Sequence, residues 1–174
     1  MERSKSERIL AIDPGAHCGW AFWDGTHLSS GEWQLKEDSA GKGGYGLVAQ
    51  TLKRNIRGLH PTAVVYEYAL NTRSTLGAMM CGCWFTAIQE YCLTSNIPYE
   101  EIHWKTVKTQ SGATDKSDSV RKAVAKFGMK AANPAAPHNQ ADALWILDCV
   151  LHPVRDVKKR APVKRKTPRK RPKP

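Results

Sequence analysis

An apolar run closed by a carboxylate constrains this chain more than any other feature. The stretch RILAIDPGAHCGWAFWDG, residues 8 to 25, passes through one apolar segment ending at Asp13, a Pro-Gly pair, and a second apolar segment. A buried strand has no use for an unpaired charge, because desolvating a carboxylate costs several kcal/mol. Pro14 and Gly15 suit the middle of a type II turn, which predicts a hairpin with strands over 8–13 and 19–23. The hairpin explains the reversal but leaves two readings of the acid. Asp13 is either the first residue of the turn or a carboxylate placed where a positive charge compensates it.

The rest of the body alternates strands and helices. HLSSGEWQL (27–35) predicts a third strand and hence an antiparallel meander. A Gly/Lys-rich turn, SAGKGGYG, leads to a helix over 45–58, and PTAVVYEYAL follows as a short buried strand starting at Pro61. Leu76, Met79, Met80, Cys83, Trp84, Ala87, Ile88, Tyr91 and Cys92 then recur at helical spacing, so one stripe faces a core. Ala78, Cys81, Gly82 and Phe85 lie off that stripe, which suggests a second buried face, either a homodimer contact or an interior one. After a strand over 98–103 comes a polar segment, WKTVKTQSGATDKSD, a helix over 116–127, the loop GMKAANPAAPHNQ, and a last helix, NQADALWILDCVLH. This order predicts an α/β fold around a mixed sheet flanked by helices.

Composition sets the boundaries. The chain of 174 residues fits one domain with enough apolar content for a core. It has no apolar run long enough to span a membrane, and MERSKSER is not followed by a signal-peptide core, so no membrane partner and a cytoplasmic location, in a bacterial cell or a virus's host, are expected. Cys18, Cys81, Cys83, Cys92 and Cys149 are scattered and lack a CxxC pair, as expected of reduced thiols. The net charge of +11 is concentrated at one end: residues 156–174 carry ten Lys/Arg against one acid. That segment cannot bury apolar area and its prolines break helices, so a domain over 1–155 followed by a disordered basic tail over 156–174 is expected. Such a tail serves either as a solubilising or localisation signal or as an arm on nucleic-acid phosphates.

Three acids stand amid apolar residues: Asp13 at the end of the first strand, Glu67 in AVVYEYAL, and Asp142 one turn into the last helix, just after His138 and Asn139. If their elements are neighbours, the acids form an anionic cluster that divalent cations would neutralise. Carboxylate oxygens suit Mg²⁺ or Mn²⁺, and two such ions can serve phosphodiester cleavage.

The succession ILAIDPG, VVYEYALNTRSTLGAMMCG, VKTQSGATDKSDSV and HNQADAL resembles the RuvC-like Holliday junction resolvases of the RNase H-like superfamily, from about residue 8 to 152. The resemblance implies an RNase H-like, mixed five-stranded sheet, a homodimer, and Mg²⁺-dependent paired nicking of four-way DNA junctions, with two ions in each active site and Mn²⁺ able to substitute. It also implies four metal-site residues. Asp13, Glu67 and Asp142 match three. At the fourth position this chain has Asn139, preceded by His138; either has a donor atom, and Asn139 also suits a helix cap. Lys105, Lys108 and Lys116 lie in a segment resembling the family's DNA-contacting stretch, about two residues shorter here. There Lys116 is a candidate for stabilising charge on the reacting phosphate and otherwise a solvated helix start. Trp20, Trp23, Tyr45 and Tyr68 are candidates for stacking on unpaired bases, with core packing as the alternative. The alternative functions are a broader nuclease for flaps, forks or RNA–DNA hybrids, and a non-catalytic nucleic-acid binder.

Overall fold

The structure, a computed structural model, describes residues 7–35, 44–68 and 75–154. The chain order is β1 (Ile9–Asp13), β2 (His17–Trp23), β3 (Leu28–Gln34), α1 (Gly44–Leu59), β4 (Ala63–Tyr68), α2 (Thr75–Thr94), β5 (Tyr99–His103), α3 (Trp104–Ser111), α4 (Lys116–Phe127) and α5 (Pro137–Leu151). The strands form one mixed sheet in the order β3-β2-β1-β4-β5. The first three are an antiparallel meander, and β4 and β5 join β1 in parallel.

The central strands divide their side chains by the period of two that a strand imposes. Leu10, Ile12, Val64 and Tyr66 enter a core with α1 and α2, around Leu52, Ile56 and Ile88. Ile9, Ala11 and Val65 enter the other core, under α5. The latter helix is buried continuously from Ala143 to Val150, because it lies on β1 and β2 and is flanked by α3 and α4. A helix apolar on every side is one covered on every side.

Two expectations are corrected here. Gly15 does not adopt the positive φ that a type II turn requires; β2 begins at His17, and Leu35 N–H donates to the Ala16 carbonyl at 2.9 Å, so the link is a wider loop tied to the end of β3. Asp13 remains in the ladder, opposite Gly19. The polar segment after β5 contains a helix, α3, that sequence periodicity misses because Val107 is its one buried residue. Local chemistry makes it instead. The His103 side chain accepts from the Lys105 N–H, and Gly112, at φ 57°, closes its C-terminus in the left-handed conformation.

All five cysteines are free, with Cys18, Cys92 and Cys149 buried. Among the described residues no helix is long and apolar enough to cross a membrane. The basic tail, the Gly/Lys-rich turn before α1 and the side chains of Tyr45 and Leu76 lie outside the described residues.

Candidate metal centre and its cleft

Strand register brings the first two acids together. Ile12 is paired with Tyr66, so the next residues along parallel β1 and β4 are Asp13 and Glu67, on backbones about 5 Å apart. Both fall on the α5 side, in step with Ala11 and Val65. They stand at the carboxyl ends of parallel strands, where open α/β sheets bind ligands. The third acid arrives on α5, whose close approach depends on Gly19. A Cβ there would lie 1.9 Å from the Asn139 carbonyl oxygen.

Glu67 and Asp142 share a cleft of about 290 Å³ with Lys108, Lys116, Ser119 and Trp104. Burial, then the charges of Asp142 and Glu67, push the Asp13 carboxyl well above its ordinary range, against an opposing pull from Lys116. Burial and Asp142 raise Glu67 to about 7. Asp142 rises to about 6 through burial, although Lys116 and a 3.4 Å hydrogen bond from Ser119 Oγ work against it. The three acids therefore act on one another as like charges in a poorly solvated place.

Asp148 provides the contrast. Its side chain is fully buried on the same helix, yet Lys126 Nζ and Gln110 Nε2 each lie 2.6 Å from Oδ2, and His152 Nδ1 lies 3.1 Å from Oδ1. That acid is compensated, and it ties α3, α4 and α5 together. Lys116 opposes the charge of Asp13 and of Asp142, while burial and Asp142 act on Glu67.

Among the described residues no group of three or more His, Cys, Asp or Glu is gathered tightly enough to enclose a metal ion as placed. The donor set nonetheless suits a hard divalent cation, since it consists of carboxylate oxygens that destabilise one another when ionised. Asp13, Glu67 and Asp142 are the residues that would hold it.

The two candidates for a fourth donor sit at the start of α5 on the side of Glu32. The Asn139 amide donates to Glu32 Oε2 at 2.8 Å, Asn133 Nδ2 lies 2.9 Å from Oε1, and His17 Nδ1 lies 3.2 Å from Oε1. Burial would raise the Glu32 carboxyl, but these three hydrogen bonds outweigh it and hold it below its ordinary value. Asn139 is not a helix cap: Ala136 is the N-cap residue and makes no side-chain cap bond. Burial, then Lys116, lower the pKa of His138, partly offset by Glu32. A lowered pKa favours the neutral imidazole that binds metals.

Sequence reading overlooked Glu32, Ser119 and Trp104. Glu32 has polar neighbours in sequence and gives no signal; its role arises from residues about a hundred positions away. Trp104, an aromatic in a polar segment, did carry one. Of the expected stacking aromatics, Trp20 stacks on Trp33 with centroids 5.7 Å apart, Tyr68 packs on Phe85, and Trp23 packs against the core under α5. The aromatic of the cleft is Trp104.

No protein-family model matches the sequence, and no curated protein matches it. Solved structures do. The structure of Thermus thermophilus RuvC in complex with a Holliday junction substrate matches with a TM-score of 0.60 at 19% identity, over 84% of this chain and 97% of that one. A second Thermus thermophilus RuvC structure matches at 0.55 and 21% identity, over 80% and 90%. The yeast mitochondrial Holliday junction resolvase Ydc2 matches at 0.56 and 13% identity, over 81% and 76%. The meander, the two parallel strands and the helices on both faces thus form a RuvC-like fold.

Proposed function

We propose that this protein is a Mg²⁺-dependent endonuclease that resolves four-way DNA junctions by paired hydrolytic nicks. The observation that carries the reading is the set of Asp13, Glu67 and Asp142, acids whose charges and burial raise one another's pKa, with Glu67 and Asp142 lining a cleft that also holds Lys108 and Lys116. A binder would gain nothing from carboxylates that repel one another. The fold, shared with a RuvC bound to a junction, supports the choice of substrate.

Asp13, Glu67 and Asp142, with His138 as fourth donor, would hold the metal. When bound, two Mg²⁺ ions, or Mn²⁺ in their place, would supply a lowered pKa for a water and positive charge at the leaving oxygen. The protein's own groups do the rest. Ser119 orients Asp142, and Lys116, whose charge already acts on Asp13 and Asp142, stabilises negative charge developing on the phosphate. Lys108 helps to hold the substrate backbone in the same cleft.

The exposed face of α2 serves as the contact of a homodimer. Ala78 and Gly82 are exposed there, Met79 is 54% exposed, and a Cβ at Gly82 would meet nothing within 4 Å. Two sites related by a two-fold axis match a branched substrate of the same symmetry.

The test is purified protein with Mg²⁺ and labelled four-way junctions, forks, flaps, RNA–DNA hybrids and duplexes. Symmetric paired nicks in the junction above all other substrates are expected. Equal cutting of forks and flaps would make it a broader branched-DNA nuclease, and no cutting at all would make it a binder.

The fourth donor is tested by a pair of variants. His138→Ala should raise the Mg²⁺ concentration needed for half-maximal cleavage about tenfold. Asn139→Ala should leave that requirement near wild type while lowering stability by about 1–2 kcal/mol, because it takes a hydrogen bond from buried Glu32. The opposite ranking transfers the ligand role to Asn139.

The basic tail, as a non-specific electrostatic arm, makes a further expectation. A chain ending at Arg155 keeps the 3.0 Å bond from Val154 N–H to Gln110 and should cleave normally at saturating protein. Its affinity for junction and duplex should fall by similar factors, and the slope of log K against log salt should shrink by about 3 or more. Loss of junction preference with duplex affinity intact would show instead that the tail reads structure.

A further inference from the structure

We propose that Glu32 is a positioning residue for the metal centre: it clips the first turn of α5 to the sheet and so sets how His138 and Asp142 stand toward Asp13 and Glu67. The proposal deepens the nuclease reading of that site and rests on it for the role of the metal.

Sheet register is the first argument. Glu32 on β3 is paired with Gly19, and Gly19 with Asp13, so the three form one row across the sheet. Residues paired in this way point to the same face, and two strand spacings put the Glu32 backbone about 10 Å from that of Asp13. Helix α5 comes down on the middle of the row, where its Asn139 carbonyl sits over Gly19. The Asn139 amide then reaches the outer end of the same row, donating to Glu32 Oε2 at 2.8 Å.

The start of the helix has no other side-chain fixture of its own. Ala136, the N-cap residue, makes no cap bond, and Pro137 follows it. Two neighbouring side chains of the first turn fasten it to β3 instead, Asn139 to Glu32 and Gln140 Nε2 to Ser30 Oγ at 2.8 Å. Glu32 also accepts from Asn133 in the loop before the helix and lies 3.2 Å from His17 Nδ1 at the start of β2. One carboxylate, its side chain only 3% exposed, thus joins β2, β3, the loop and α5. A buried charge adds little stability over apolar packing. What this one adds is direction, because each hydrogen bond fixes an angle as well as a distance.

That direction is transmitted to the site by helix geometry. Asn139 and Asp142 are three residues apart, and His138 and Asp142 four, so all three lie on neighbouring parts of the helix surface. A roll of the first turn that releases Asn139 carries both candidate ligands with it. Mg²⁺ demands near-ideal octahedral geometry, so a small displacement is felt as lost affinity. Loss of Asn139 alone leaves the turn tied through Asn133 and Gln140, whereas loss of Glu32 frees both asparagines at once.

The test compares full-length wild type, Glu32→Ala, Glu32→Gln and Asp148→Asn. Hydrogen exchange in metal-free buffer reads the first turn of α5, and Mn²⁺ titration without DNA, followed by the electron paramagnetic resonance of the free ion, reads the metal centre. In Glu32→Ala the amides of Ala141 and Asp142 should exchange about tenfold faster while those from Leu144 onward stay protected, and Mn²⁺ affinity should fall about tenfold. Asn133→Ala combined with Asn139→Ala should do the same, and stands in for Glu32→Ala if that chain does not fold. Glu32→Gln should stay within about threefold of wild type, since its oxygen still accepts from Asn133 and a half-turn of the Asn139 amide offers an oxygen to its nitrogen. Asp148→Asn, which loosens the other end of α5, should lower the melting temperature and leave Mn²⁺ affinity unchanged. Unchanged exchange in Glu32→Ala would overturn the clip. Equal Mn²⁺ losses in Glu32→Gln and Glu32→Ala would show that charge acts and not position, and an equal loss in Asp148→Asn would show a mere effect of stability; either result overturns the proposal. Wild type that binds no Mn²⁺ would sink the metal reading and leave exchange to decide the clip, whereas a wild-type site that Glu32→Ala leaves untouched would sink the positioning role alone.

Discussion

Asp13→Asn, Glu67→Gln and Asp142→Asn should each slow junction cleavage by about a thousandfold or more, equivalent to about 4 kcal/mol, with junction affinity in metal-free buffer unchanged or improved. Each variant removes a negative charge in or beside a cleft that must approach phosphates, and none removes a lysine. The same cluster sets a pH dependence of stability. Glu67 rises from 4.5 to about 7 and Asp142 from 3.8 to about 6 on folding, so the folded protein holds more protons than the unfolded chain between those values. The contribution of Glu67 and Asp142 to metal-free stability is therefore largest below about pH 4 and is lost as pH rises to about 7, on the order of 3 kcal/mol for Glu67. Thermal melts in EDTA against pH should show that decline. Mg²⁺ should cancel much of it in wild type, and Glu67→Gln should flatten it without metal. Full activity in any one variant would remove that residue from the site.

Among the described glycines, Gly19 should be the one at which an added methyl does the most damage. The added carbon would stand 1.9 Å from the Asn139 oxygen and 2.4 Å from its carbonyl carbon, both backbone atoms of the first turn of α5. A backbone cannot rotate aside as a side chain can, so α5 must lift from β2 or the strand must bend, at a cost of about 3 kcal/mol or more. Asp142 and His138 ride on that helix, and cleavage should fall with it. Chemical denaturation read beside the cleavage rate tests this. A variant with wild-type stability and activity would mean that α5 is not held this closely.

The strands and the antiparallel meander were legible in the sequence because their causes are local and periodic, whereas the pairing of β4 with β1 is set by a crossover that no local pattern records. Leu10 and Ile12 alternate with Ile9 and Ala11, and β1 and β4 carry apolar residues to both faces as far as Asp13 and Glu67, as strands covered on both faces must, whereas the edge strand β5 is mostly polar and exposed. Asp13, Glu67 and Asp142 could be singled out because each interrupts an apolar pattern without a neighbouring partner. Asp148 interrupts the same helix in the same way, yet Lys126, Gln110 and His152, from α4, α3 and the end of α5, compensate it. Apart from His152 at i+4, the partners that compensate Asp148 are distant in sequence, so little in the local pattern separates it from the other acids. Helix α3 was missed for a related reason, since one buried valine makes no stripe and its capping residues matter more than its pattern. The Glu32 network lay beyond reach because its partners Asn133 and Asn139 are about a hundred residues away in the chain.

The central claim is that Asp13, Glu67 and Asp142 hold divalent metal together. Crystals soaked in Mn²⁺ and measured at the manganese absorption edge test it most directly. The account predicts anomalous density in the cleft, within bonding distance of oxygens from all three carboxylates, and its loss in Asp13→Asn. Manganese found only elsewhere on the protein, at concentrations that support cleavage, would contradict it.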